Sequence, residues 1–188
     1  MTTYDKIIKL ADTCIQRDGF HGFSFSDLAE GVGIRKASIH HHFPSKTDLG
    51  LAYCDYKYAL FKQLDERLQA IPAGAQRLKG YLDAFSNCAQ QGEMCGIYTM
   101  LSDSHTFPAE LQQAVNKLAQ SELDILEALL LSGAECGELS LNRLSAREQA
   151  VIVSASLKGA LMLNRLPPHD AYNKTSAALL KTLSANNI

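Results

Sequence analysis

Between Gly33 and Lys46 the chain carries Arg35, Lys36, three consecutive histidines (His40, His41 and His42) and Lys46, with no acidic residue among them. Cations grouped in this way suit a polyanion. The formal net charge of −2 offers no general attraction to nucleic acid, so a local patch of this kind is the footprint to look for. Lys36 is suited to a guanine edge or a phosphate, the imidazole of His40 can donate to phosphate, most strongly when protonated, and His41 is expected to face the same groove. Lys46 opens a long apolar-periodic segment, where backbone N–H groups at a helix start assist phosphate binding. Ser24 and Ser26 are secondary phosphate candidates for the same reason. The histidine triplet also raises metal binding, but consecutive helical residues point about 100° apart and cannot close on one ion, whereas chelation on a helix uses i, i+3 or i, i+4 spacing. No metal and no cofactor is expected.

Other chemistry is thinly represented. The chain has no G-x-S-x-G, Walker loop, G-x-G-x-x-G or H-E-x-x-H motif, so no catalytic constellation is expected. Five cysteines occur without C-x-x-C spacing, which argues against a disulfide framework or zinc knuckle and fits a reducing compartment. With no signal-peptide core and no apolar run of about 20 residues, a cytoplasmic location is expected.

The elements that position the basic patch can be read from the same stretch. Ser24 is an N-cap, and Asp27 three residues on is a shorter version of the capping-box acid. Phe25, Leu28, Ala29 and Val32 then recur at helical spacing, Gly33 supplies a left-handed terminator, and Ile34 follows as a plug. A second short helix runs from about Lys36 to His42, with Ile39 and Phe43 inward and Lys36, Ala37, Ser38, His40 and His41 on other faces. Pro44-Ser45 stops it and caps the next helix. Helix, glycine turn, helix is the DNA-reading helix-turn-helix. In front of it, Tyr4, Ile7, Ile8, Ala11, Cys14 and Ile15 mark an amphipathic helix ending near Gly19, with Phe20 and Phe23 closing its small core.

Behind it, Leu49, Ala52, Tyr53, Tyr56, Leu60, Leu64 and Leu68 predict one helix from Ser45 to about Ala70, about 40 Å long. Further helices are predicted over 75–91, 94–103, 108–132, 145–164 (capped by Ser145 with Glu148) and 169–184. No segment alternates with period two, so the fold class is all-α.

The segment Phe25-Ser26-Asp27-Leu28-Ala29, then Gly33-Ile34, then Lys36 through Leu49 with its His-Phe-Pro-Ser-Lys core resembles the DNA-binding signature of tetracycline-repressor-like (TetR/AcrR) regulators. The likeness covers roughly the first quarter of the chain. It departs from the usual pattern at Arg35, where a Ser or Thr normally caps the reading helix, at His40, where a tyrosine normally meets the DNA backbone, and at Gly31, which loosens the supporting helix. The resemblance implies a three-helix DNA-binding head over residues 1–46 and a larger helical body for ligand binding and dimerisation over 47–188. It implies a homodimer formed through the helices near 145–164 and 169–184, where Ala155, Ser156, Gly159 and Ala160 form a small-residue stripe. The partners implied are a double-stranded DNA operator and a small-molecule effector.

The large side chains of the middle helices fill a core, and the resemblance implies that some of them line a ligand pocket. The residues expected there are Tyr56, Phe85, Cys88, Cys95, Tyr98, Thr99, Ser102 and Phe107. The function expected is a transcriptional regulator, most often a repressor in the resembled family, released from a near-palindromic operator by its effector. One alternative is a thiol switch through Cys95 or Cys88. Another is a helical ligand-binding protein or enzyme that no longer reads DNA.

Overall fold

The computed structural model describes residues 1–185. Residues 186–188, counted above in the second domain, lie outside the described residues. Helices account for most of the described chain, with no strand beyond an isolated bridge between Leu139 and Ser184 among the described residues. They run in the order α1 (Thr3–Asp18), α2 (Phe25–Val32), α3 (Lys36–His42), α4 (Lys46–Gln69), α5 (Ala75–Asp83), α6 (Ser86–Gln91), α7 (Gly96–Asp103), a 3-10 turn at Ser104–Thr106, α8 (Ala109–Glu135), α9 (Ala146–Leu163) and α10 (Ala171–Leu183). No helix among the described residues is long and apolar enough to cross a membrane.

Packing divides the chain into two compact units. The first comprises Met1–Ala59 and Cys95–Ala119; the second comprises Leu60–Met94 and the chain from Gln120 onward. This division of packing does not follow the expected boundary at 46/47, because α7 and the start of α8 join the core of the first unit. Phe20 packs edge-on against Phe107 with ring centroids 5.1 Å apart, and His21 Nε2 lies 2.8 Å from Thr106 Oγ1.

Inside the first unit, α1 starts at a full capping box: Asp5 N–H donates to Thr2 Oγ1 (3.2 Å) and Thr2 N–H donates to Asp5 Oδ2 (2.8 Å). Its apolar side chains Ile7, Ile8, Ala11 and Ile15 are buried together with Leu28, Ile39, Phe43 and Leu49 of the next three helices. Tyr53, fully buried on α4, donates through its hydroxyl to Asp12 Oδ1 (2.9 Å), and Lys57 pairs with the same carboxylate at 3.1 Å. Burial and the neighbouring Asp12 carboxylate push the Tyr53 phenol well above its ordinary value. A Cβ on Gly96 would come within 1.9 Å of that hydroxyl, so the first turn of α7 lies against α4 only because residue 96 has no side chain.

The second unit buries Leu64, Leu68, Leu78, Leu82, Leu126, Leu130, Val153, Leu157 and Leu161. Ser145 and Glu148 cap α9 as expected: Glu148 N–H donates to Ser145 Oγ (3.2 Å), and Ser145 N–H donates to Glu148 Oε2 (2.8 Å). The single helix expected over 75–91 is two. Phe85 leaves the helical path (φ −103°, ψ 1°), and the Ser86 hydroxyl donates to Asp83 O (2.7 Å), closing the end of α5. The turn places the Phe85 ring 5.5 Å from that of Tyr81 and beneath the Lys158 ammonium, 3.5 Å away. Tertiary packing of Phe85 therefore overrides a locally continuous helical pattern. The helix expected to stop near Gly133 continues to Glu135, and the left-handed residue that closes it is Gly137 (φ 79°).

Candidate functional site

The helix-turn-helix is built by local signals. Ser24 Oγ accepts from Ser26 N–H (3.2 Å) and Asp27 N–H (3.4 Å), while Asp27 Oδ2 accepts from Ser24 N–H (2.7 Å). The Ser24 hydroxyl and backbone N–H hold the Asp27 carboxyl below its ordinary value. Gly33 takes φ 76°, and Ile34 N–H returns to Ala29 O at 2.9 Å, so the chain reverses into α3 without a Cβ penalty. Gly31 carries a different meaning from the expected loosening: a Cβ there would meet the Leu10 side chain at 2.5 Å. It lets α1 lie close on α2.

Helix α3 buries Ile39 and turns Arg35, Lys36, Ala37, His40 and His41 to solvent, with Ser38 half-buried. The Arg35 side chain makes no capping bond, consistent with a guanidinium having no acceptor. His40 stacks edge-on against Phe25 at 5.0 Å, and its Nδ1 lies 3.3 Å from Pro44 O. A carbonyl only accepts, so in this contact Nδ1 is the donor. His42 is half-buried between Tyr4 and Phe43. Among the described residues no group of three or more His, Cys, Asp or Glu side chains is placed to hold a metal ion.

Lys46 is arranged differently from the other expected phosphate contacts. Its ammonium donates to Phe23 O and lies 4.3 Å from the Phe23 ring centroid and 5.2 Å from that of Phe20. Burial lowers its pKa from the ordinary lysine value. In this conformation it holds the α1–α2 turn. Ser24 and Ser26 are exposed at the start of α2, Ser24 with its hydroxyl committed to the cap.

The eight expected ligand residues fall in both units. In the first, Cys95 is buried at the start of α7, Thr99 Oγ1 donates to Cys95 O (3.1 Å), Ser102 Oγ donates to Thr99 O (2.9 Å), Tyr98 is half-buried, and Phe107 is buried against Phe20 and His21. Tyr56 lines a cavity of about 480 Å³ between α1 and α4, with Met1, Tyr4, Asp5, Ile8, Lys9, Ala52 and Asp55. In the second unit, Phe85 is buried and Cys88 is half-buried. A groove of about 330 Å³ there is lined by Leu64, Arg67, Leu68, Ile71, Gly80, Asp83 and Ala84, none of them an expected site residue. Cys95 is only 4% exposed and Cys88 is half-buried, so the thiol alternative is not favoured, since reactive cysteines are accessible ones.

Sequence reasoning missed a charged cluster in the second unit. Glu122 on α8 is 0% exposed; its Oε1 accepts from Tyr81 Oη (2.6 Å) and from Lys158 Nζ (2.7 Å). A signal was present. Glu122 continues the buried stripe Leu111, Val115, Leu118 and Leu126 at helical spacing, and an acid on an apolar stripe is the buried-polar case that calls for a reason.

Comparison with known proteins adds the following. Residues 7–53 match the family model described as bacterial regulatory proteins, tetR family. A fatty acid metabolism regulator protein of Bacillus subtilis is 23% identical over 137 residues, covering 72% of this chain and 70% of that protein. The crystal structure of a TetR-family transcriptional regulator from Agrobacterium tumefaciens superposes with a TM-score of 0.90 at 29% identity, covering 97% of this chain and 98% of that one. The structure of the regulator FadR from Bacillus subtilis in complex with stearoyl-CoA superposes with a TM-score of 0.68 at 19% identity, over 95% and 98% of the two chains. By its capped helix-turn-helix, the residues matched and the fold shared along its length, the chain is a tetR-like regulator of transcription: residues 7–53 carry the tetR-family DNA-binding segment, and the whole shares the fold of such regulators.

Proposed function

We propose that the chain is a homodimeric repressor that leaves a near-palindromic operator when a small-molecule effector binds. The observation that carries the reading is the outer face of α3: Arg35, Lys36, His40 and His41 are exposed together on a capped helix-turn-helix, and no acid lies between residues 33 and 46. Residues 1–46 act as the head and the rest as the responding body, a division of labour rather than of packing. Arg35 and Lys36 serve phosphates or guanine edges, and Ala37 and Ser38 allow close approach to the groove. His40 offers Nε2 and His41 its imidazole to the backbone, while Ser24 and Ser26 flank the adjacent phosphates. Lys46 joins them only by leaving the Phe23 carbonyl.

A second copy of the chain is the partner that the exposed face of α9 suits. Ile152, Met162 and Leu163 are 45%, 61% and 57% exposed, Leu166 just beyond the helix is 61% exposed, and Ala155 and Gly159 on the helix are exposed as well. Small residues allow close helix approach, and an isologous pairing makes the dimer two-fold. Two-fold symmetry then requires half-sites about 34–36 Å apart or a multiple of that. The FadR structure with stearoyl-CoA supports a small-molecule effector for this fold.

The test is a selection of genomic fragments with the purified protein, followed by salt titration on the recovered site. A recovered near-palindrome whose affinity falls steeply with salt is expected. Enrichment of no fragment, repeated after unfolding and refolding to strip any bound molecule, overturns the reading.

A further inference from the structure

The second unit gathers three buried polar groups at one point. Glu122, fully buried, has both of its donors on Oε1, from Tyr81 on α5 and Lys158 on α9. Its other oxygen, Oε2, is the one buried side-chain oxygen or nitrogen among the described residues with no hydrogen-bond partner. A carboxylate oxygen left without a donor in the interior is costly. For stability alone, apolar residues of similar volume would serve as well or better.

We propose that Glu122 Oε2 is the recognition point for the effector, and that the effector is an uncharged, largely apolar small molecule presenting one hydroxyl or amide N–H. This inference rests on the reading of the chain as an effector-released regulator. Charge decides the class. Lys158 already neutralises Glu122, so a cationic ligand donating to Oε2 would bring a second positive charge close to the ammonium. An anionic ligand would meet the carboxylate. A neutral donor satisfies the orphaned oxygen and leaves the pair balanced.

The neighbourhood favours an aromatic body on that donor. The Phe85 ring lies 3.5 Å from the Lys158 ammonium and stacks against Tyr81 and Phe61. Phe85 sits at the joint between α5 and α6, where the helical ladder is already broken. Its ring can therefore swing aside without unwinding a long helix, and an incoming aromatic ring restores the cation–π contact that Phe85 gives up.

The probes are phenol and anisole, its methyl ether, which keeps the ring and oxygen but has no O–H, with benzylamine and benzoate as cationic and anionic counterparts. Binding to the full chain is measured by calorimetry without DNA. Phenol is expected to bind at least about tenfold more tightly than the other three, since a site built to accept a hydroxyl proton rejects the analogue lacking it. Glu122→Gln is expected to abolish or reverse the preference, because an amide N–H then replaces the accepting oxygen. An infrared measurement on the wild-type chain with carboxyl-labelled glutamate covers a variant that fails to fold: one side-chain carboxylate band is expected to shift with phenol and not with anisole. Equal binding of phenol and anisole, tighter binding of benzylamine or benzoate, or no phenol binding up to about 10 mM, a modest demand on seven heavy atoms, overturns the inference. Operator binding is assayed separately, so failure here with DNA binding intact leaves the regulator reading standing, and loss of DNA binding alone strikes that reading instead.

Discussion

The α3 face and the Glu122 cluster are both built from charged side chains, and they are opposites in every other respect. Arg35 and Lys36 are exposed to solvent and carry one sign of charge. Glu122 and Lys158 are 0% and 5% exposed at the side chain, carry both signs and are held 2.7 Å apart. A solvated patch is nearly free to maintain and acts at the range of a Debye length, about 8–10 Å in ordinary salt, so it reads a polyanion by charge and register. A buried pair is expensive to maintain and acts only on contact, so it discriminates by a single hydrogen bond. The contrast suggests that the cost of a charge in the fold tracks the selectivity expected of it.

The sharpest way to break that contrast is to unpair the buried cluster. Lys158→Ala leaves Glu122 uncompensated and is expected to cost about 3–5 kcal/mol in chemical denaturation, with Glu122→Leu/Lys158→Met recovering most of the loss. On the solvated side, Arg35→Ala/Lys36→Ala should leave stability within about 0.5 kcal/mol. The same double variant should weaken operator binding and shrink the salt slope by about 0.9 for each phosphate that the dimer no longer neutralises. An unchanged slope would place these side chains off the phosphates.

A middle case is Gly96→Ala, which drives a methyl group into the Tyr53 hydroxyl; a loss of about 1–3 kcal/mol is expected from thermal or chemical unfolding. Arg35→Ser supplies the missing cap of α3. It is expected to raise stability by about 0.5–1 kcal/mol while reducing DNA affinity, separating the two roles of that position. The smallest effect is in acid. The bonds from Ser24 hold the Asp27 carboxyl below its ordinary value, so its contribution is present above that value and fades as pH falls through the lowered one. Asp27→Asn should flatten the acid limb of a pH–stability profile.

How far the sequence can be read follows the same division. The head is legible because its signals are local: Ser24 with Asp27, Gly33, and Ser45, whose hydroxyl donates to Asp48 at 2.6 Å, each act within four residues. Ser145 with Glu148 is legible for the same reason. The break at Phe85 is not, because it is imposed by Tyr81 and Lys158 from other turns and helices. Lys46 reads as pointing outward, as an exposed first-turn lysine would, but the Phe20 and Phe23 rings and a loop carbonyl draw it in. Glu122 and Lys158 each stand on an apolar stripe, 36 positions apart. Either one alone signals a buried charge but not its partner; only the fold shows that they meet.

The close approach of Gly96 to the Tyr53 hydroxyl constrains how the chain can change by descent. With the hydroxyl 1.9 Å from where a Cβ would stand, a larger residue at 96 is admissible only where 53 has lost its hydroxyl or shortened. Asp12, which accepts from that hydroxyl at 2.9 Å, would then keep Lys57 as its remaining partner. Among descendants of a common ancestor, a larger residue at 96 should therefore always come with a change at 53, whereas 53 is free to change alone.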